Sequence, residues 1–385
     1  MVSAGGGGAF LREFLQVSPS RPARLKSLDV FRGASIASMI VVNSPGARPD
    51  TYPQLLHAAW NGWTFADTIF PCFLFIVGVS LTLSTAARAE TQTDRASLVW
   101  HAVRRSLLLY GCGVFIDYLV FPARGFPYFA FRDHLQLTGV LEKIAVCYLV
   151  SFLIFLGAGW RGVVVGIVGL NVVYLGLLFL YPVPGCGAGV LSPECSFPSY
   201  LNKIVLEGHT WGDTYDPDGI GAVLPAISSV LFGVLAGLLL RIEPRSRQRL
   251  LWLVGGGLGL VAGGVLLARW IPINKPLWTT SYAVSMAGLA SICLAACYWV
   301  VDVRQAGSWL KPLEILGLNA VAAYLVSRPD DHALRVHVFG ESLYTDVCRR
   351  LASPPNASLL FAFVVLTAVY AIVWFMYRRR WFLKF

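Results

Sequence analysis

Charged residues make up only 14% of this chain, 31 Lys and Arg against 21 Asp and Glu in 385 residues. Ordinary soluble domains carry about 25%, so a soluble enzyme and a disordered polyelectrolyte are both excluded. Signatures of metal and nucleotide chemistry are also missing. There is no HExxH and no CxxC pair, and neither a Walker loop nor a Rossmann glycine fingerprint accompanies the basic clusters. Most of the eight Cys sit inside apolar runs, where a thiol acts as a small soft apolar group. No metal is therefore expected. The net charge of +10 falls in segments between apolar runs, a membrane pattern that does not call for a nucleic acid partner.

What the chain does have is hydrophobic length: 56% of its residues are hydrophobic, in runs that recur from end to end. A run crosses a hydrocarbon core of roughly 30 Å with about 20 residues. The pattern predicts an all-α, polytopic membrane protein with about ten transmembrane helices, near 30–48, 64–85, 98–120, 140–158, 162–181, 219–240, 250–269, 279–300, 311–327 and 357–377. Residues 1–27 read as an amino-terminal cytoplasmic tail, 28–377 as the membrane domain and 378–385 as a basic cytoplasmic tail. The first span is the most polar, broken by Asp29, Arg32, Ser35, Ser38 and Asn43 and closed by Pro45 and Gly46. Such groups should face protein or a cavity rather than lipid. Asp29 and Arg32, three apart, are spaced for a local ion pair.

With the amino terminus inside, 19 Lys and Arg fall on the inner side and 11 on the outer. That bias favours cytoplasmic termini. Residues 49–63, 121–139, 182–218 and 328–356 then lie outside. Cys186 and Cys195 share one of these loops and can form a disulfide in an oxidising compartment, two free thiols being the alternative.

The most informative stretch is HAAWNGWTFADTIFPCFLFIVGVSLTLS, residues 57–84, a polar and aromatic entrance leading into an apolar helix. His57 can exchange a proton near neutral pH. Asp67, on the second turn of a helix starting near Asn61, can orient that imidazole, and Asn43, at the outer end of the first span, can donate to a developing oxyanion. Aromatic-belt, capping and interhelix roles account for the same three residues equally well. Trp60 and Asn61 stand beside His57. Glu142 with Lys143, and Asn274 with Lys275, sit at outer helix boundaries where they either contact an acceptor substrate or anchor helix ends. Arg104, Arg105, Arg245 and Arg247 gather on the inner side, where a phosphorylated donor would dock. Positive-inside bias explains them as well. His101, His134, His209, His332 and His337 form no metal signature, while HTWGDTYDPDG, residues 209–219, suits either sugar recognition or a surface turn.

Several polar motifs in order resemble the catalytic domain of the heparan-alpha-glucosaminide N-acetyltransferase family, including its bacterial relatives of the NagX type. They are SLDVFRGASIASMIVVN, the 57–84 stretch, DPDGIGAVLPAISSVLFGVLAG, PINKPLWTTSY and PLEILGLNAVAAYLVS. GVLEKIAVCY departs from the family's GVLQRIAIAY at Glu142 and Lys143. The resemblance implies transfer of an acetyl group from cytosolic acetyl-CoA to an amino sugar or envelope glycan across the membrane. It carries the family histidine onto His57 as general base or transient acetyl acceptor, with Asn43 as an orienting or oxyanion group and Asp67 as its electrostatic support. A multi-pass protein of the bacterial inner membrane, in contact with lipid and able to pair as a homodimer, is the corresponding expectation. The competing reading is an inner-membrane amino-sugar transporter.

Overall fold

The computed structural model describes residues 25–89, 94–120, 135–210, 214–327 and 343–383. Most of the expected amino-terminal tail, together with His134, Trp211, Asp213, His332 and His337, lies outside the described residues. The architecture is all-α among them, with a single isolated β-bridge between Val183 and Gly187. The helices are α1 (Lys26–Asn43), α2 (Phe65–Ala89), α3 (Arg95–Val120), α4 (Val140–Leu180), α5 (Phe197–Val205), α6 (Val223–Ile242), α7 (Ser246–Leu267), α8 (Thr280–Tyr298), α9 (Lys311–Leu318), α10 (Ala320–Ser327) and α11 (Pro354–Arg378).

Among the described residues, six helical segments are long and apolar enough to cross a membrane, or seven if the pair formed by α9 and α10, bent by 72°, counts as one. The number is smaller than ten for three local reasons. Helices α1 and α3 occupy two of the expected spans but fall outside the apolar set. The third reason is α4, whose 41 residues cover two expected spans and break at Gly159, where φ is 62° and ψ −155°. At 1.5 Å per residue an unbroken helix of that length would reach about 60 Å. A positive φ is cheap for glycine, so the chain turns there without a loop. Large side chains such as Val165, Val172 and Leu180 lie exposed on the outside of α4, as a lipid-facing surface requires.

Close helix crossings depend on missing side chains. A Cβ at Gly33 of α1 would lie 1.8 Å from the Leu313 carbonyl of α9, and one at Gly317 would lie 1.8 Å from that of Asp29. Small residues at such points let backbones touch and gain dispersion contacts where lipid offers no hydrophobic drive. The main core, with Trp278, Tyr282, Phe155 and Ile36 fully buried, lies beside a cavity that runs between α1, α2, α3 and the start of α4.

The expected short-range pair is present: Arg32 Nη1 donates to Asp29 Oδ1 at 3.3 Å, and its Nη2 reaches Ser80 Oγ of α2 at 2.6 Å. Cys186 and Cys195 form a disulfide, with Cα atoms 5.6 Å apart.

Candidate active site

The segment before α2 folds back on the first turn of that helix because Asp67 collects its polar groups. Asp67 Oδ2 accepts the backbone N–H of Ala58 at 3.0 Å, that of Thr64 at 3.1 Å and the Thr64 hydroxyl at 3.1 Å. Oδ1 accepts His57 Nδ1–H at 2.7 Å. The carboxylate is 1% exposed, while the imidazole is half exposed toward the cavity. A buried carboxylate survives only with such a complement of donors. Because Asp67 takes the Nδ1 proton, the neutral ring carries its lone pair on Nε2, ready to receive a proton.

Lys275 completes the pair from the connection between α7 and α8. Its Nζ stands 3.4 Å from Asp67 Oδ1 and 3.1 Å from His57 Nδ1. An ammonium has no acceptor to offer a protonated Nδ1, so its bond goes to the carboxylate. Burial lowers the Lys275 ammonium from its ordinary value, and the Asp67 carboxylate opposes that shift. Asn274 fixes the loop that presents Lys275. Its Nδ2 donates to the Trp60 carbonyl at 3.0 Å and to Asn61 Oδ1 at 3.2 Å, and its Oδ1 accepts Leu277 N–H at 2.8 Å. Trp60 Nε1 donates to the Leu191 carbonyl at 2.7 Å and its ring meets Tyr215 edge-on.

A second support lies beneath. Pro71 of α2 has no N–H for the carbonyl of Asp67 four residues earlier. The Tyr282 hydroxyl of α8 supplies that donor at 2.6 Å. Pro71 thus leaves open the Asp67 carbonyl through which α2 is tied to α8.

The cavity has a volume of about 1530 Å³. His57, Asp67, Asn43 and Lys275 line one end, and Arg32, Arg88 and Arg105 line the wall further along. Of the sequence-derived candidates, His57, Asp67, Asn43, Lys275 and Arg105 thus share one cavity. Asn274, Trp60 and Asn61 stand behind it as the frame just described. Glu142 and Lys143 are buried off its wall. Lys143 Nζ donates to the Pro217 carbonyl at 3.1 Å and lies 4.5 Å from the centre of the Trp278 ring, and Glu142 packs against Gly113 and Gly139. Arg104 is exposed on α3, Arg245 is exposed just before α7 and Arg247 is exposed on its first turn, away from the cavity lining. His101 is half-buried on α3, and His209 Nδ1–H donates to the Leu135 carbonyl at 2.7 Å.

Sequence reasoning missed the clamp by Thr64, the Tyr282 bond and the contribution of Arg32 and Arg88 to the cavity. Thr64 and Pro71 were the available signals, since they flank Asp67 at three and four residues.

Residues 24–253 match the family described as heparan-alpha-glucosaminide N-acetyltransferase, catalytic. The match takes in Asn43, His57, Asp67 and Arg105 but stops short of Lys275. Over 361 residues the chain is 29% identical to human heparan-alpha-glucosaminide N-acetyltransferase, covering 79% of this chain and 52% of that protein. The mouse protein of the same name is 28% identical over 362 residues, with coverages of 78% and 53%. The chain spans about half the length of these curated relatives. With more than half of its residues inside the matched region, the chain belongs to the heparan-alpha-glucosaminide N-acetyltransferase catalytic family.

Proposed function

We propose that this chain moves an acetyl group from acetyl-CoA on the cytosolic face of a bacterial inner membrane to an amino sugar or envelope glycan on the opposite face. One observation carries the reading: a single cavity is lined by the His57–Asp67–Lys275 cluster at one end and by Arg32, Arg88 and Arg105 further along. The arginines suit the anionic donor, and the extended pantetheine arm can bring the thioester along the cavity while the charged nucleotide stays behind.

In this reading ten crossings put both termini in the cytosol, with α1, α3 and the two halves of α4 counted among them. The Cys186–Cys195 disulfide supports placing that loop on the oxidising side. The His57 loop shares that side because Trp60 bonds to Leu191 within the same disulfide-bearing segment.

The acceptor amine attacks the thioester carbonyl carbon. Nε2 of His57 takes the proton released as the C–N bond forms, and passes it to the departing sulfur. Asp67 and Lys275 hold the ring in the required tautomer, and Asn43 donates to the oxyanion. Direct attack accounts for this arrangement without an acetylated histidine.

The test is turnover by the purified protein. Acetyl-CoA should be consumed only with an amino-sugar acceptor, and His57→Ala should reduce the rate by about 10²- to 10⁴-fold, the range for a lost general base. Sugar uptake into proteoliposomes that needs no acetyl-CoA and survives His57→Ala would replace this reading with transport.

A further inference from the structure

Two carboxylates face the His57 end of the cavity, and they are differently employed. Both oxygens of Asp67 are occupied by His57, Ala58, Thr64 and Lys275. Asp218, which lines the cavity with His57, Tyr215 and Lys275, is different. Among the described residues no side chain hydrogen-bonds or ion-pairs with its carboxylate. Lys275 and Lys143 both attract its charge, but their direct contacts go to Asp67 and to the Pro217 carbonyl and Trp278 ring.

The turn that presents Asp218 is rigid, and its neighbour Asp216 does the structural work. Asp216 is buried. Its Oδ2 accepts the Thr138 hydroxyl at 2.5 Å and its Oδ1 accepts the backbone N–H of Asp218 at 2.9 Å. The Asp216 carbonyl accepts Gly219 N–H at 3.2 Å. Asn202 closes the far side, its Oδ1 accepting Gly221 N–H at 3.0 Å, and a Cβ at Gly219 would meet its amide at 2.2 Å. On the near side Lys143 holds the Pro217 carbonyl. Bonds on both flanks thus fix the backbone of a residue whose own side chain is left to the cavity. Fixing a turn this thoroughly around a carboxylate that no described side chain hydrogen-bonds is a way of preorganising a binding group.

An amine acceptor reaches a neutral-pH site as an ammonium and so carries one proton more than His57 can accept during attack. We infer that Asp218 binds that ammonium and thereby selects amines over hydroxyls as acceptors, a step that rests on the acetyltransferase reading above. The ammonium gives one proton to Asp218, which releases it to water through the cavity. The resulting amine forms the C–N bond as the C–S bond breaks, and its second proton goes through His57 to the sulfur. A thioester and an ammonium thus become an amide, a thiol and one proton in water. A hydroxyl has no charge for Asp218 to hold.

The experiment compares binding of methyl β-D-glucosaminide and methyl β-D-glucoside to the intact protein at neutral pH, with acetyl transfer measured alongside. The wild type should bind the amine at least about tenfold more tightly, as a charge-assisted bond of roughly 1.5–3 kcal/mol implies. Asp218→Asn and Asp218→Ser should bind the two sugars equally, Asp218→Glu should keep the preference, and all should bind acetyl-CoA as the wild type does. Equal affinity for the two sugars in the wild type, or a preference that survives both neutral substitutions, would overturn the assignment. Discrimination without any acetyl transfer would sink the enzymatic reading while leaving the ammonium site standing.

Discussion

Asp67 grips His57 from two directions: Oδ1 bonds to its ring nitrogen at 2.7 Å, while Oδ2 bonds to the N–H of Ala58, the next residue along the chain, at 3.0 Å. The same carboxylate therefore sets both the tautomer of the imidazole and the path of the backbone that carries it. Orientation of this kind is what a general base needs before its acidity matters.

Replacing Asp67 by Asn should separate these two tasks. The amide keeps one acceptor oxygen but cannot hold the negative charge that favours Nδ1–H. Acetyl transfer should fall on the order of a thousandfold or more, by analogy with loss of the orienting carboxylate in other base-activated sites. Asp67→Ala strands the buried donors as well and should cost about 3–5 kcal/mol of stability. Rates and thermal unfolding of the two variants measure these effects independently.

The bond from Tyr282 to the Asp67 carbonyl predicts a coupling through Pro71. Tyr282→Phe leaves that buried carbonyl without its side-chain donor and should cost about 1–3 kcal/mol. In a Pro71→Ala background the alanine N–H can take the carbonyl, so the same change should cost clearly less. A double-mutant cycle on thermal stability reads the difference. Additive effects would mean that the hydroxyl and the missing N–H act separately.

Lys275 predicts an alkaline limit. Its charge balances Asp67 below its folded-state pKa and is lost as pH rises through it, and burial sets that pKa below the usual lysine value. As pH rises, activity should therefore begin to fall before the unperturbed lysine value of about 10.4 is reached. Lys275→Arg, charged throughout the accessible range, should remove that limb from the pH profile of kcat/KM, and Lys275→Met should lower activity at every pH.

The arginines divide into those on the cavity and those outside it. Arg105 lines the cavity and stacks 4.7 Å from the Tyr148 ring centre, whereas Arg245 and Arg247 are exposed at the start of α7. Arg105→Met should raise the KM for acetyl-CoA about tenfold or more, the worth of one charge-assisted bond. The combined Arg245→Ala and Arg247→Ala change should leave it within about twofold, since exposed charges are screened by solvent. Steady-state kinetics with varied donor concentration decides between the two groups.

The legible part of the site was its local part. His57, Thr64 and Asp67 lie within eleven residues, so a short loop before an apolar helix could join them. Lys275 lies 218 residues from His57, and its sequence showed only that a cation stands at a helix boundary. For Glu142 and Lys143 the sequence showed charge at a helix start but not its burial. Charge at a helix start reads as surface, yet Lys143 is buried under Trp278 and pins the turn that presents Asp218. Helix positions were readable from apolar runs. The number able to cross by length and apolarity was not, because charged side chains interrupt α1 and α3 and the halves of α4 meet at one glycine.

Sidedness tests the central claim most directly. Oriented proteoliposomes would hold labelled acetyl-CoA inside, on the Arg245 face, with methyl β-D-glucosaminide outside, on the face of the Cys186–Cys195 loop. Labelled amide should accumulate outside with the wild type and not with His57→Ala. Product formed only when donor and acceptor share one face, or formed equally well without His57, would contradict a transfer through the cavity.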